Sequence, residues 1–141
     1  MDENGNYSPE LGIEKIRKYA SMFGLDETSG IEIAEREPQM TTEKPEASSI
    51  GQGKNSYSNI QLSRYITAVA NKGTVFKLSL LDKMTDSQGN LLKDFTPEVR
   101  STIDVKDSTW NAVHTGMRRV ISDGSARKIF SDLEVDIAGK T

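Results

Sequence analysis

Three segments of the chain share one arrangement: a residue that can cap a helix, an apolar stripe at helical spacing, and a glycine that ends it. Ser8 precedes the first stripe, Ser58 precedes the second with Gln61 at the capping-box spacing, and Ser108 precedes the third. A serine oxygen accepts a hydrogen bond from the free N–H groups of the first turn, and apolar residues spaced by three and four form one helix face. The segments therefore predict amphipathic helices near residues 10–23, 59–71 and 108–122.

The stretches between these helices show the shorter periods of strands and turns. Phe76, Leu78 and Leu80 alternate with polar residues, and the polar residues 86–90 can form a turn, so residues 74–95 predict a β-hairpin. The other predicted elements are short strands at 31–33 and 135–137, a surface loop at 35–49 and a short helix at 125–133. This mixture predicts an α+β fold, with helices packed on an incomplete antiparallel sheet.

The composition excludes several classes of protein. The chain has 141 residues, the length of one domain, and 18 Lys and Arg against 21 Asp and Glu. Its net charge of -3 argues against a dedicated nucleic-acid-binding protein, which would be basic. Cysteine is absent and His114 is the single histidine, which excludes disulfides, thiol catalysis and a His-rich metal site. No apolar run reaches the roughly 18–20 residues of a membrane span, so we expect these residues to be soluble.

Apolar residues are also scarce. With Gly counted and Tyr left out, they make up about 40% of the chain, against roughly 45–50% in a typical globular domain. A core this lean is typical of a part of a larger domain, or of a domain that packs against a neighbour.

Two lysine-containing segments match a phosphate-binding loop only in part. Gly139-Lys140-Thr141 lacks the glycine five residues earlier, where Glu134 stands, and residues 51–55 lack the Ser or Thr that binds magnesium. Neither segment therefore predicts nucleotide binding, and the sequence predicts no cofactor.

The chain holds no complete set of catalytic residues. Ser125 and Lys128 have the S-x-x-K spacing, which places a lysine amine one helical turn from a serine hydroxyl. A capping serine followed by a solvent-exposed basic turn explains them more simply. His114 lies on the apolar stripe of its helix and is interpreted as packed, and the acidic residues of 32–46 as a solvated loop. The sequence therefore predicts neither a catalytic residue nor a metal site within the chain.

Six short motifs follow one another along nearly the whole chain. They are Tyr19-Ala-Ser-Met-Phe-Gly-Leu25, Thr28-Ser-Gly-Ile-Glu32, Ser49-Ile-Gly-Gln-Gly53, Ile60-Gln-Leu62 with Ala68-Val-Ala-Asn-Lys-Gly73, Gly116-Met117 with Val120 and Ser125-Ala126, and Ala138-Gly-Lys-Thr141. In this order they resemble the C-terminal half of the transpeptidase domain of class B penicillin-binding proteins of the elongation type. The resemblance implies that residues 1–141 adopt part of the β-lactamase-like transpeptidase fold.

The sequence departs from the family pattern in several places. Ala34-Glu35 stands where the family usually has Gly-Glu, Ser125 replaces a threonine, and Asn59 replaces a proline. The family's S-x-x-K and S-x-N motifs are expected before residue 1, and its Lys-Thr-Gly motif would be cut after Thr141. We therefore expect the chain to be the C-terminal part of a transpeptidase domain whose N-terminal part is missing.

For the intact parent protein, the resemblance implies a serine-type D,D-transpeptidase that cross-links peptidoglycan stem peptides and is acylated by β-lactams. It places the nucleophilic serine and its lysine upstream of residue 1, so the chain alone is expected to be inactive. It also implies that the parent is anchored in the cell membrane with this domain outside the cytoplasm. Lys140 and Thr141 would bind the carboxylate of the stem peptide or β-lactam through charge-assisted hydrogen bonds.

The sequence leaves the exact class of the protein and the role of Gln52 open. A β-lactam sensor and a non-catalytic scaffold protein would share these motifs, and Gln52 is either structural or reaches the substrate cleft. At least one of Gly51 and Gly53 is expected to adopt positive φ, which glycine does at little cost. An exposed sheet edge and uncovered apolar helix faces favour self-association of the chain.

Overall fold

The structure is a computed structural model that describes residues 4–130 and 132–141. The chain divides into two compact units, of which the first ends at Ile103 and the second runs from Asp104 to Thr141. The elements of the first unit are α1 (Pro9–Met22), α2 (Pro45–Ser49), α3 (Asn59–Ala70), β1 (Thr74–Phe76), β2 (Lys83–Thr85), β3 (Leu91–Asp94) and β4 (Val99–Thr102). Those of the second unit are α4 (Asp107–Ser122) and α5 (Arg127–Phe130). The predicted α+β class is confirmed.

Side-chain caps begin the first two predicted helices. At α1 the Leu11 N–H donates to the Ser8 hydroxyl oxygen at 3.2 Å, and Pro9 occupies the first turn. At α3 the Gln61 N–H donates to the Ser58 hydroxyl at 3.3 Å, while the Ser58 N–H donates to the Gln61 side-chain oxygen at 2.7 Å. The N–H groups of Ser58 and Gln61, which have no backbone partner within α3, are thereby hydrogen-bonded. Both predicted helices are confirmed.

The third predicted helix is present as α4, but its start differs from the prediction. Lys106 occupies the N-cap position, so Ser108 lies inside the helix and does not cap it. The reason is that the Lys106 carbonyl accepts from the N–H groups of Thr109 and Trp110, at 2.8 and 3.3 Å, which closes the first turn two residues early. Asp107 then places a carboxylate at the positive end of the helix dipole.

The strands pair differently from the predicted hairpin. β2 and β3 do form an antiparallel pair around the predicted turn, where the Asp86 carboxylate accepts from the N–H groups of Gln88 and Asn90 at 2.8 Å. β1, however, pairs with β4, a strand that the sequence analysis missed. Leu78 and Leu80 lie outside both ladders, since the Leu80 N–H donates at 2.9 Å to the carboxylate of Glu32.

Four further predictions need correction. Residues 31–33 form no strand, because the Glu32 carboxylate is turned toward residues 79 and 80, which donate to it. The predicted loop at 35–49 contains α2. Residues 135–137 form no ladder with any described residue; the Ile137 carbonyl accepts instead from Arg118 at 2.9 Å. The helix predicted at 125–133 is shorter, since only α5 is helical there, and Ser131 of that range lies outside the described residues.

Two polar side chains of α3 occupy the interior of the first unit. Gln61 is fully buried and donates to the Glu27 carbonyl at 2.7 Å. Arg64 is 2% exposed and donates to the carbonyls of Gly24 and Ser29. Gly24 has φ +72°, and a Cβ there would lie 2.5 Å from an Arg64 guanidinium nitrogen. The Phe-Gly-Leu motif thus has a glycine where both the backbone conformation and the buried arginine exclude a side chain.

Glu35 connects the same loop to the start of α3. Its carboxylate accepts from the Ser29 hydroxyl at 2.8 Å, the Gly30 N–H at 2.9 Å and the Ser58 hydroxyl at 3.5 Å. Burial raises the pKa of Glu35, but the hydrogen bonds from Ser29 and Gly30 and the Arg64 charge outweigh it and hold the pKa below its ordinary value of 4.5. The folded state therefore favours the ionised carboxylate.

Several large apolar side chains remain exposed in the first unit. Leu62 and Ile66 of α3 are 43% and 46% exposed, and Leu91 and Leu92 of β3 are 59% and 65% exposed. Exposed apolar side chains such as these would form the contacts in the expected self-association of the chain. That association stays a prediction. No helix in the described ranges is both long and apolar enough to cross a membrane.

The depressed pKa of Glu35 predicts acid sensitivity of the first unit. Its contribution to the free energy of unfolding is present above about pH 4.5 and is lost as the pH falls through the lower pKa of the folded state. We expect Glu35→Gln to lower stability at pH 7 and to flatten the loss of stability between neutral and acid pH, measured by urea unfolding across that range. Glu37→Gln, which removes an exposed carboxylate of the same loop, is the matched control. If the free energy of unfolding falls equally steeply with pH in Glu35→Gln and in the wild type, the lowered pKa does not belong to Glu35.

Candidate functional site

One face of α4 carries the buried side chains of this helix. Trp110 and Ile121 are buried, at 5% and 7% exposure. His114 is half-buried on this face, with its ring centroid 6.5 Å from that of Trp110. This is the environment expected of a packed histidine.

A tight turn between α4 and α5 places Ser125. A Cβ on Gly124 would lie 2.8 Å from the Val120 carbonyl oxygen, so the turn leaves no room for a side chain there. The Ala126 N–H donates to the same carbonyl at 3.2 Å, and the Ala126 side chain is buried. The backbone on both sides of Ser125 is therefore held against the end of α4, while its own side chain is exposed.

The segment that leads to the carboxyl end runs alongside α4. The Gly139 N–H donates to the Met117 carbonyl at 3.1 Å. Arg118 donates to the Ile137 carbonyl at 2.9 Å and to the Asp136 carboxylate at 2.8 Å. Backbone contacts and one partly exposed ion pair thus fix the path of the residues just before Lys140.

Lys140 and Thr141 are exposed at the end of this segment. The Lys140 ammonium donates to the Thr141 carbonyl. The Thr141 hydroxyl lies 2.8 Å from the Ser125 hydroxyl, a hydrogen bond in which either oxygen can donate. An ammonium and a hydroxyl side by side on an accessible surface can bind a carboxylate by charge-assisted hydrogen bonding.

The structure brings together two motifs that lie apart in the sequence. Ser125 belongs to the Gly-Ser-Ala motif after α4, and Thr141 to the Ala-Gly-Lys-Thr motif. No spacing rule pairs residues 16 positions apart outside one helix, so this contact gave no signal in the sequence. Ser125 therefore has Thr141, rather than Lys128, as its hydrogen-bonding partner.

The motif around Gln52 forms a separate turn in the first unit. Gly51 and Gly53 have φ of +84° and +94°, which confirms the expected positive φ. The Gln52 N–H donates to the Ala47 carbonyl at 2.9 Å, and its carbonyl accepts from the Asn55 amide at 3.1 Å. The backbone of Gln52 closes the turn, and a role for its exposed side chain stays open.

Two other features of the second unit bear on its chemistry. A cavity of about 330 Å³ opens beside α4 and α5, with Ile121, Phe130 and Val135 among its lining residues, and neither Lys140 nor Thr141 lines it. Within residues 4–130 and 132–141, no three His, Asp or Glu side chains come together as metal ligands.

Comparison with known families agrees with the order of motifs. The penicillin-binding protein transpeptidase domain matches this sequence over residues 6–141. The chain belongs to this family. The resemblance stated from the six motifs is thereby confirmed.

Two curated relatives are penicillin-binding proteins of Bacillus subtilis (strain 168). The chain is 30% identical to penicillin-binding protein H over 138 residues, which cover 90% of the chain and 19% of that protein. It is 28% identical to penicillin-binding protein 2A over 157 residues, which cover 97% of the chain and 21% of that protein. The chain thus spans about a fifth of the length of these relatives.

Two solved structures share its fold. Penicillin-binding protein 2B of Streptococcus pneumoniae (strain 5204) matches 98% of the chain with a TM-score of 0.78 and 20% identity, over 26% of its own length. A chain from "Structural coordination of polymerization and crosslinking by a peptidoglycan synthase complex" matches 95% with a TM-score of 0.79 and 23% identity, over 24% of its own length. The expected partial transpeptidase fold is confirmed.

Replacement of glycine by alanine should change stability in opposite directions at two positions of the second unit. Gly116 lies exposed within α4 with no atom near its missing Cβ, so Gly116→Ala should raise the free energy of unfolding by about 0.5–1 kcal/mol through helix propensity. Gly124→Ala should lower it by roughly 1–3 kcal/mol, because the new methyl group meets the Val120 backbone. Urea unfolding of the two variants beside the wild type measures both changes. Shifts of the same sign would contradict the turn geometry.

Proposed function

We propose that this chain forms the C-terminal part of the transpeptidase domain of a serine-type D,D-transpeptidase that cross-links peptidoglycan and is acylated by β-lactams. The observation that carries the proposal is the family match across residues 6–141, together with an Ala-Gly-Lys-Thr motif that ends on an accessible surface. The catalytic serine and lysine come from the N-terminal part of the same domain. The proposal fits the finding that the chain spans about a fifth of the length of its relatives.

The reaction proposed for the parent protein is nucleophilic acyl transfer. The serine oxygen attacks the carbonyl carbon of the penultimate D-alanine and passes its proton to the neighbouring lysine amine. The terminal D-alanine leaves as an amine that takes up this proton, and an acyl-enzyme ester remains. The amine of a second stem peptide then attacks the ester, forms the new amide and returns the serine. A β-lactam follows the first step only, with its ring amide as the bond that breaks.

Lys140 and Thr141 have a binding role in this scheme. The substrate ends in a carboxylate, and β-lactams carry a carboxylate in the corresponding place. The exposed Lys140 ammonium supplies positive charge, and the Thr141 hydroxyl supplies a donor that a carboxylate oxygen can accept. Their contribution is to hold the substrate so that its carbonyl meets the serine.

The partners follow from the same chemistry. The parent protein would bind the peptidoglycan stem peptide and β-lactams, and would act at the outer side of the cell membrane, to which its anchor holds it. Both curated relatives carry the name penicillin-binding protein, and this supports the β-lactam part of the proposal.

Replacement of Lys140 tests the binding role. In the full-length parent protein, Lys140→Ala should slow acylation by a carboxylate-bearing penicillin about 10- to 100-fold, because a charge-assisted hydrogen bond worth roughly 1.5–3 kcal/mol is lost at the transition state. The measurement is the second-order rate constant for labelling by a fluorescent penicillin. Lys128→Ala, which removes an exposed lysine of α5, is the matched control and should change the rate little.

Two outcomes would contradict the proposal. Unchanged labelling by Lys140→Ala would remove Lys140 from the site. A penicilloyl adduct mapped by mass spectrometry to Ser125 of the 141-residue chain alone would place the nucleophile here instead of upstream.

A further inference from the structure

We infer that Ser125 is a positioning residue for Thr141: its hydroxyl donates to the Thr141 oxygen and leaves the Thr141 proton directed at the substrate carboxylate. This rests on the proposed function, in which Thr141 donates to that carboxylate. The observation behind it is the 2.8 Å separation between the two hydroxyl oxygens.

The direction of the hydrogen bond follows from the number of protons. Each hydroxyl has one proton to donate and two lone pairs that can accept. If Thr141 donated to Ser125, it would have no proton left for an anionic ligand. A carboxylate beside Thr141 accepts only, so its presence selects the arrangement in which Ser125 donates to Thr141 and Thr141 donates to the ligand.

Both ends of this hydrogen bond are held independently of it. Ser125 follows Gly124, where a Cβ would meet the Val120 carbonyl oxygen at 2.8 Å, and precedes the buried Ala126. Thr141 follows a segment that is attached to α4 by the Gly139 N–H at 3.1 Å from the Met117 carbonyl. Because the backbone beside Ser125 and the backbone shortly before Thr141 are both attached to α4, less ordering is needed for the two hydroxyls to meet than between unattached segments, and this favours a functional hydrogen bond over a chance contact.

Threonine and valine have nearly the same shape, but only threonine carries a hydroxyl. The two substitutions at position 125 therefore separate the effect of the hydroxyl from the effect of side-chain volume. In the full-length parent protein, Ser125→Val should slow acylation by a carboxylate-bearing penicillin roughly 3- to 10-fold, the effect of one neutral hydrogen bond. Ser125→Thr keeps a donor and should stay within about twofold of the wild type. The exposure of Ser125 makes both variants compatible with folding, which a thermal melt of each would verify.

Two further measurements distinguish positioning from a general structural effect. In a Thr141→Val background, Ser125→Val should cause no additional loss, because the hydroxyl on which it acts is absent. With the decarboxylated analogue of the same penicillin, which has hydrogen in place of the carboxylate and so offers Thr141 no acceptor there, Ser125→Val and Ser125→Thr should be acylated at equal rates.

The possible results separate this inference from the proposed function. If Thr141→Val and Lys140→Ala slow acylation but Ser125→Val does not, the inference is wrong and the proposed function stands. An equal loss from Ser125→Val in the Thr141→Val background, or with the decarboxylated penicillin, also overturns the inference. If Lys140→Ala and Thr141→Val leave acylation unchanged, both the proposed function and the inference fail.

Discussion

The interior of the first unit depends on two polar side chains that α3 buries, Gln61 and Arg64. They bind the carbonyl oxygens of residues 24, 27 and 29, so one helix face holds a loop that has no regular hydrogen-bonded structure of its own. Buried polar groups cost free energy unless they are paired, and this pairing selects one conformation of the loop. The positive φ of Gly24 and the capping box at Ser58 are consequences of the same arrangement.

In the second unit, too, hydrogen bonds to backbone carbonyls hold a segment that has no regular secondary structure. Gly124 allows the chain to turn sharply just after α4. The carboxyl-terminal segment is attached along α4 through the backbone at Met117 and the side chain of Arg118. These contacts bring the Ser125 and Thr141 hydroxyls together on an accessible surface. Short sequence motifs that resemble a family therefore correspond here to particular contacts: a glycine with no room for a side chain, and a pair of hydroxyls in hydrogen-bonding contact.

Local signals in the sequence were sufficient to predict α1, α3 and α4 but insufficient to predict α2 or the pairing of strands. The capping box of Ser58 and Gln61 involves residues three apart, so the start of α3 could be predicted from sequence alone. The partner of β1 lies more than 20 residues away in β4, and alternation of apolar residues does not say which strands pair. Ile31 and Ile33 alternate as a strand would, but the Glu32 carboxylate binds residues 79 and 80. The identity of Lys140 and Thr141 as candidates came from family resemblance, and the contact of Thr141 with Ser125 came only from the structure.

The most direct test is a crystal structure of the full-length parent protein acylated by a carboxylate-bearing penicillin. The account predicts the β-lactam carboxylate within hydrogen-bonding distance of the Thr141 hydroxyl, about 2.5–3.0 Å between oxygens, with the Lys140 ammonium as the neighbouring cation. It also predicts that the Ser125 hydroxyl keeps its contact with Thr141, and that the acylated serine precedes Met1 in the parent sequence. A carboxylate held by other residues, with the Thr141 hydroxyl turned away from it, would contradict the account.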